Sequence, residues 1–206
     1  MFITPVAVII TGYLLGSIPG GYIIGKGIRK VDVRNYGSGN IGTTNVLRVL
    51  GKKAALFVFL IDVGKGVASV WISGLFPSHI DLSIIRAIGG FSCIIGHNWP
   101  VFLKFRGGKG VATSAGVFLL LTPLPFLFSL LTMIITVGVT RYVSVGSMVS
   151  AALLPFYIWI LMGKGAFNYT ILGIVVAVII VLRHHSNLKR LFSGREHKLG
   201  EKVQEV

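Results

Sequence analysis

Acidic side chains and cysteine are both scarce in this sequence. The 206 residues include 6 Asp and Glu against 20 Lys and Arg, which gives a net charge of +14. Zinc and two-metal hydrolases need acidic, histidine or thiolate ligands at defined spacings, and neither H-E-x-x-H nor C-x-x-C occurs. The single cysteine, Cys93, excludes a disulfide within one chain and lies in an apolar run, where a thiol usually serves only packing. We therefore expect no metal, no cofactor and no disulfide.

Charged residues of either sign are also rare, at 13% of the chain, whereas 53% of the residues are hydrophobic. A soluble domain carries roughly 25% charged residues, so most of this chain is expected to lie in a lipid bilayer. At about 20 residues per span, the length allows roughly six or seven transmembrane helices. A basic excess would suggest nucleic acid as the partner of a soluble protein. Here the basic residues lie in short loops between apolar runs, which indicates the positive-inside rule and no nucleic acid.

The apolar runs predict the helices. They cover residues 2–24, 54–76, 82–99, 111–139, 143–162 and 168–182. The fourth run is too long for one span, and Pro123 and Pro125 interrupt it, so we predict two short helices there. The predicted fold class is an all-α integral membrane protein with seven transmembrane helices, some short or re-entrant, in a single domain of residues 1–206. Five or six spans are the alternative, if the short segments are re-entrant.

The distribution of positive charge predicts the orientation. All Lys and Arg residues except Lys65, Arg86 and Lys164 lie in polar segments that the predicted spans place on one side of the membrane. By the positive-inside rule, that side is the cytoplasm. The N-terminus is then outside, and the basic tail of residues 183–206 is cytoplasmic.

The first inner segment contains a stretch suited to binding an anion. Between Gly37 and Arg48 the chain holds three glycines, several hydroxyl and amide side chains, and no acid. Backbone N–H groups in such a loop can surround a phosphate. An ordinary Gly/Ser/Asn turn is the alternative, but further Gly-, Lys- and His-rich segments on the same side favour the phosphate site.

The second inner loop, Gly107-Gly108-Lys109-Gly110, precedes a short apolar helix. The N-terminus of that helix, with its partial positive charge, would point at a bound anion. The G-x-x-x-x-G-K-[ST] pattern of nucleotide-binding loops is not met, because Gly110 stands where Ser or Thr would hold magnesium. The G-x-S-x-G elbow is absent too, so neither a nucleotidase nor a serine acyl-enzyme is expected.

Two ionisable residues, Asp62 and Lys65, interrupt the second span. Their spacing of three places them on one helix face, where they can neutralise each other. Charges within a span are functional candidates because their burial is costly. A structural bridge to a neighbouring helix and a contact with substrate are equally open. His97, near the inner end of the third span, is either a ligand contact or a helix cap.

These polar segments are expected to converge on one cytoplasmic site near the inner leaflet. Its candidate residues are Ser38, Asn40, Thr44, Asn45, Arg48, Lys109, His184, His185, Asn187 and Arg190.

Three ordered motifs resemble the bacterial acyl-phosphate-dependent glycerol-3-phosphate acyltransferases. They are Ser38-Gly39-Asn40-x-Gly42-x-Thr44-Asn45-x-x-Arg48, Gly107-Gly108-Lys109-Gly110-Val111-Ala112-Thr113 and His184-x-x-Asn187-x-x-Arg190-Leu191-x-x-Gly194-x-Glu196. The patterns Asp62-x-Gly64-Lys65-Gly66, Gly96-His97-Asn98 and Arg141-Tyr142-Val143-Ser144 extend the resemblance over nearly the whole chain. One departure is His185, where many relatives carry arginine. The His-x-x-x-x-Asp dyad of other glycerol-phosphate acyltransferases is absent, which agrees with the acyl-phosphate class.

The resemblance implies transfer of a fatty acyl group from acyl phosphate to the 1-hydroxyl of sn-glycerol 3-phosphate. The products would be lysophosphatidate and phosphate, in the first step of phospholipid synthesis. The implied partners are these two substrates and the lipid bilayer, with no oligomer required. The implied location is the bacterial plasma (inner) membrane, with the active site on its cytoplasmic side.

The resemblance also suggests which residues act. The expected catalytic residues are Ser38, Arg48, Lys109, His184 and Asn187. The expected substrate-binding residues are Gly39, Asn40, Thr44, Asn45, Gly107, Gly108, Gly110, Thr113, Ser144, Ser147 and Arg190. Of these, Ser38, Thr44, Arg48 and Lys109 are expected to hold the glycerol-phosphate dianion. The acyl phosphate is expected to contact Asn45, Ser144, Ser147, His184, Asn187 and Arg190.

The acceptor of the hydroxyl proton is open between His184 and a substrate phosphate oxygen. Histidine has a suitable unperturbed pKa, but surrounding cations reduce its basicity, which favours the phosphate. A transporter for an organic phosphate is the rival function, based on Asp62 and Lys65 in mid-span. A membrane anchor that binds anionic lipids would explain the basic tail but not the first loop.

Overall fold

The computed structural model describes residues 3–201, and these form helices and connecting turns without a strand. The α-helices within this range are α1 (Ile3–Ser17), α2 (Gly20–Arg29), α3 (Thr43–Leu50), α4 (Lys52–Ser73), α5 (Leu82–Asn98), α6 (Val111–Leu121), α7 (Pro123–Thr140), α8 (Val143–Met162), α9 (Phe167–Arg183) and α10 (His185–Phe192). Short 3-10 turns cover Val33–Asn35, Val101–Leu103 and Gly163–Ala166. The described residues divide into two compact units, residues 3–117 and Phe118–Glu201. Phe2 of the first predicted span and residues 202–206 of the predicted tail lie outside the described range.

Four helical segments within the described range are long and apolar enough to cross a membrane. They are Thr4–Arg29, Lys52–Ser73, Pro123–Thr140 and Val143–Arg183. The last holds both α8 and α9, since its 41 residues are about twice the length of one span. Large apolar side chains such as Phe57, Ile135 and Ile160 are more than half exposed along these helices, as expected of surfaces that contact lipid. The chain is an all-helical, multi-pass membrane protein, while the count of seven spans and the orientation remain predictions.

Proline decides two helix boundaries. The break predicted in the fourth apolar run is confirmed, since α6 ends at Leu121 and α7 begins at Pro123, where proline is tolerated in a first turn. The first run differs from the prediction of one uninterrupted helix. It is broken between Ser17 and Gly20 because Pro19 has no N–H group and its ring disfavours a continuous helix. The break leaves the carbonyl of Ile18 outside the helical ladder.

The first unit depends on close contacts between helices at glycine. On α1, a Cβ atom added at Gly16 would overlap the backbone of Cys93 on α5. On α4, a Cβ at Gly66 would overlap the carbonyl of Thr113 at the start of α6. The prediction that the spaced glycines of the first span mark helix packing is confirmed, because small residues let backbones approach closely in lipid.

A small apolar core supports the first glycine-rich loop, which precedes α3. Its buried members are Val33, Ile41, Val46, Ala54, Ala55, Val58 and Leu103. These residues join the loop and α3 to the first turns of α4, so the loop is held at both ends.

In the second unit, α8 packs against both α7 and α9, and α10 follows α9 after a break at His184. The chain beyond α10 returns to the start of α8. The N–H of Leu199 donates to the carbonyl of Arg141 at 2.7 Å, and Arg141 Nη2 donates to the carbonyl of Leu199 at 3.1 Å. The tail is therefore held beside the first turn of α8 at Leu199.

Candidate active site

The side chain of Asn45 organises the first loop. Its Oδ1 accepts from the N–H of Ser38 at 2.8 Å, and its Nδ2 donates to the carbonyls of Val33 at 2.9 Å, Tyr36 at 3.1 Å and Asn40 at 2.8 Å. Asn45 is only 2% exposed. An amide has two N–H donors and one carbonyl acceptor, so the three carbonyls share two N–H groups, and the whole amide is used within this segment.

The loop leads into the N-terminus of α3. Gly37 and Gly39 have φ angles of +58° and +70°, a region that glycine adopts without strain. Asn40 Oδ1 accepts from the N–H of Gly42 at 2.8 Å, directly before α3. Thr44 and Arg48 are four apart on α3 and share one face. These contacts shape the loop before any substrate binds.

The second loop lies against the end of α5. The N–H of Gly108 donates to the carbonyl of His97 at 3.0 Å. A Cβ atom on Gly108 would occupy the position of the His97 imidazole Nε2, and one on Gly107 would overlap the His97 carbonyl. Glycine is therefore required at both positions by close approach. This turn presents Lys109 at the N-terminus of α6, where Gly110 has a φ of +83°.

Buried polar groups surround the start of α6. Asn98 and Thr113 are both 0% exposed, and their side-chain polar atoms have no hydrogen-bond partner within the described range. A Cβ atom on Gly110 would lie 3.0 Å from Asn98 Oδ1. Thr113, an expected substrate-binding residue, is thus placed inside the helix packing behind the second loop.

A charged cluster lies next to the second loop, inside the first unit. Lys65 Nζ is 2.8 Å from Asp62 Oδ1, 2.8 Å from His97 Nδ1 and 3.0 Å from the carbonyl of Ile18. Asp62 and Lys65 are 2% and 6% exposed. The prediction that these two residues neutralise each other is confirmed. The pair also bridges to α5 and to the α1–α2 break, which the sequence left open.

In the second unit, three of the expected site residues meet at Glu196. Ser144 Oγ and Asn187 Nδ2 donate to Glu196 Oε1 at 2.8 and 2.6 Å, and Arg190 Nε donates to Oε2 at 2.8 Å. Glu196 is 7% exposed. Glu196 belongs to the third motif, but no role is predicted for it from the sequence. It is a lone acid in a basic motif, and this could have indicated its contacts, because a buried carboxylate needs compensating donors.

The environment of Glu196 keeps its carboxyl group ionised. Burial by itself would raise the pKa of Glu196. The hydrogen bonds from Asn187, Ser144 and Arg190, with the charge of Arg190, outweigh burial and hold this pKa below its ordinary value.

The other expected residues of the second unit bond to their own helices. His184 is 3% exposed, and its Nδ1 lies 2.8 Å from the carbonyl of Ile180. A carbonyl only accepts, so Nδ1 carries a proton, and Nε2 is the ring nitrogen that could accept one. Ser147 Oγ donates to the carbonyl of Val143 at 2.8 Å.

The geometry suits the binding of anionic groups better than metal or nucleophilic chemistry. Glycine-shaped loops in the first unit carry Arg48 and Lys109, and two acids of that unit, Asp32 and Asp62, are already paired with Arg34 and Lys65. Within residues 3–201, His, Cys, Asp and Glu form no group of three that could hold a metal ion. Cations and backbone donors on a preshaped frame can stabilise a phosphate ester without an added cofactor.

Comparisons with known proteins agree with this chemistry. A model of the glycerol-3-phosphate acyltransferase family matches residues 6–194. A glycerol-3-phosphate acyltransferase of Shouchella clausii is 43% identical over 98% of this chain and 99% of its own length. One from Thermoanaerobacter pseudethanolicus is 45% identical over 95% of this chain and 96% of its own.

Solved structures give the same result for the fold. The crystal structure of PlsY (YgiH), an integral membrane glycerol 3-phosphate acyltransferase, in its glycerol 3-phosphate form is 37% identical, with a TM-score of 0.87 over 95% of this chain and 96% of that one. Its lysophosphatidic acid form is 36% identical, with a TM-score of 0.84 over 95% of each chain. Because the family match and these relatives span almost the whole sequence, the chain belongs to the glycerol-3-phosphate acyltransferase family.

Proposed function

We propose that this protein transfers a fatty acyl group from acyl phosphate to the 1-hydroxyl of sn-glycerol 3-phosphate. The observation that carries the proposal is the pair of glycine-containing loops in the first unit. Hydrogen bonds within the protein preorganise these loops, which precede or contain Arg48 and Lys109. Membership of the acyltransferase family supports the reaction, and the two ligand forms of PlsY support a glycerol phosphate acceptor and a lysophosphatidic acid product.

Glycerol 3-phosphate is assigned to the first unit. Arg48 and Lys109 neutralise its phosphate dianion, because charge-assisted hydrogen bonds are roughly twice as strong as neutral ones. Ser38 and Thr44 donate hydroxyl hydrogen bonds, while Gly39, Asn40, Gly107, Gly108 and Gly110 supply backbone groups and shape.

Acyl phosphate is assigned to Ser144, Ser147, His184, Asn187 and Arg190. Asn45, expected from the sequence to contact it, is instead assigned to loop shape, because its amide is committed to four bonds within the loop. Glu196 aligns Ser144, Asn187 and Arg190 through hydrogen bonds, and its negative charge partly offsets the positive charge of Arg190.

The reaction needs little acid catalysis. The 1-hydroxyl oxygen attacks the acyl carbon, a new C–O ester bond forms, and the bond from that carbon to the phosphate oxygen breaks. The electron pair leaves with inorganic phosphate, which is already a good leaving group. A substrate phosphate oxygen accepts the hydroxyl proton, and the protein contributes alignment and charge neutralisation.

The site faces the cytoplasm of a bacterial plasma membrane crossed by seven helices. The excess of Lys and Arg in the inner loops and tail supports this orientation. The acyl chain lies between helices and leaves sideways into lipid. A transporter is not proposed as a second function, because Asp62 and Lys65 contact each other, His97 and the Ile18 carbonyl.

A phosphate-release assay on purified protein tests the proposal. Glycerol 3-phosphate is supplied with acyl phosphate, acyl-CoA or acyl carrier protein in turn, and lysophosphatidate is measured by mass spectrometry. Phosphate and lysophosphatidate are expected in equal amounts when acyl phosphate is the donor, and neither is expected with the other two donors. Equal or better turnover with acyl-CoA would reject the proposed donor, and glycerol-phosphate flux into vesicles without acyl transfer would reject the enzyme.

A further inference from the structure

The Lys65 ammonium group makes one ion pair and two hydrogen bonds within the protein. An ammonium has three N–H donors and no acceptor. Its three short contacts are Asp62 Oδ1 at 2.8 Å, His97 Nδ1 at 2.8 Å and the Ile18 carbonyl at 3.0 Å. The last contact exists because Pro19 interrupts the helix after α1 and leaves that carbonyl outside the ladder.

These contacts determine the protonation of His97. An ammonium group can only donate, so a hydrogen bond from Lys65 is accepted by His97 Nδ1, and the ring proton is then on Nε2. Asp62 Oδ1 also lies 3.4 Å from Nδ1 and would pair with a protonated Nδ1. His97 Nδ1 lies 2.8 Å from Lys65 Nζ but 3.4 Å from Asp62 Oδ1. On the basis of the shorter contact, we assign Nδ1 as the acceptor of a hydrogen bond from Lys65.

The other edge of the same ring supports the second loop. Nε2 occupies the space of a Cβ on Gly108, while the His97 carbonyl accepts from the N–H of Gly108 at 3.0 Å. Lys109 is the next residue. The position of this residue therefore limits where the turn that carries Lys109 can lie.

We propose that Asp62 and Lys65 are positioning residues that fix His97 as the Nε2–H tautomer, and that His97 in turn fixes the Gly107–Lys109 turn for binding of the substrate phosphate. The inference rests on the proposed function and adds a purpose for the charges of the second span. It differs from a purely structural ion pair, which apolar residues of similar volume often replace without loss of stability.

The experiment compares kinetics and folding in one set of variants. The double substitution Asp62→Leu with Lys65→Met removes both charges without leaving either one unpaired. Gly64→Ala is the matched control on α4, because a Cβ there meets no atom within 4 Å. Chromatographic profile and thermal unfolding in detergent report folding, and steady-state kinetics are measured separately for glycerol 3-phosphate and acyl phosphate.

The expected result is a folded double variant whose KM for glycerol 3-phosphate rises at least about tenfold, since small displacements of a positioning group cost that much or more. Its KM for acyl phosphate and its kcat stay within about threefold, as both do in Gly64→Ala. A folded double variant with the wild-type KM for glycerol 3-phosphate would overturn the inference.

A second pair of variants keeps the test decisive if the double variant does not fold. In His97→Gln the side-chain amide supplies an N–H near the Nε2 position without help from Lys65, whereas His97→Leu supplies none. KM for glycerol 3-phosphate should rise in His97→Leu and stay within about threefold of wild type in His97→Gln. Equal KM values in the two variants would reject the inference. A wild-type protein that releases no phosphate from acyl phosphate would instead reject the proposed function on which the inference rests.

Discussion

Lys109 is one of the two cations assigned to the proposed acceptor site. Replacing it with Met removes a charge-assisted bond to phosphate, which is worth about 1.5–3 kcal/mol. We expect Lys109→Met to lower kcat/KM for glycerol 3-phosphate by roughly 10- to 100-fold, as measured by phosphate release. Lys104→Met is the control, because Lys104 is an exposed cation of the same polar segment. A similar loss in both variants would mean that only the general positive field is involved.

His184 tests which group accepts the proton. If a substrate phosphate oxygen accepts it, His184→Ala should keep its near-neutral pH limb and lose less than about 10²-fold in kcat, the lower range for loss of a general base. The measurement is kcat against pH for wild type and variant. Loss of the limb together with a larger fall would assign the base to His184 Nε2, because Nδ1 already donates to the carbonyl of Ile180.

At the scale of elements, the tail and the start of α8 are joined through Glu196. Its pKa is lowered in the folded protein. A lowered carboxyl pKa contributes stability that is present above the unfolded value near 4.3 and is lost as the pH falls through the folded value. We therefore expect the thermal stability of the wild type in detergent to fall as the pH is lowered below about 4.3.

The substitution Glu196→Gln should remove this acid dependence. It should also cost about 1.5–3 kcal/mol at neutral pH, because Arg190 loses its charged acceptor. Glu201→Gln is the control, since Glu201 is exposed near the end of the described tail. An unchanged pH profile in Glu196→Gln would show that another carboxyl group controls the acid loss.

The contact between α1 and α5 is a second test at this scale. Gly16→Ala places a methyl group into the backbone of Cys93, so we expect destabilisation of at least about 1–3 kcal/mol, as for other overpacked sites. Gly64→Ala should be neutral or slightly stabilising, because its site is open and alanine favours a helix. Thermal unfolding of both variants in one detergent measures the difference. Equal melting temperatures would contradict the close packing of α1 on α5.

For the whole molecule, the charge distribution predicts the orientation. A cysteine introduced by Ser78→Cys should react with an impermeant maleimide added to the outside of intact cells, whereas one introduced by Lys198→Cys should react only after permeabilisation. The single native cysteine, Cys93, is buried and gives a low background. Outside labelling of position 198 would reverse the predicted topology.

Local sequence was enough to predict the helical class, the membrane environment, most helix boundaries and the motif residues. These features depend on local composition: apolar runs predict spans, Pro123 and Pro125 predict the break before α7, and glycine, cation and hydroxyl spacing identifies the loops. The break at Pro19 was predictable by the same rule but was not predicted.

Which polar groups meet became known from the folded chain. Asn45 bonds within its own loop rather than being left open to substrate. Lys65 reaches His97 across 32 positions, and Ser144 reaches Glu196 across 52. The physical reason is that such pairs depend on how closely helices approach at glycine and where the chain turns back, and neither is encoded in the spacing of one segment.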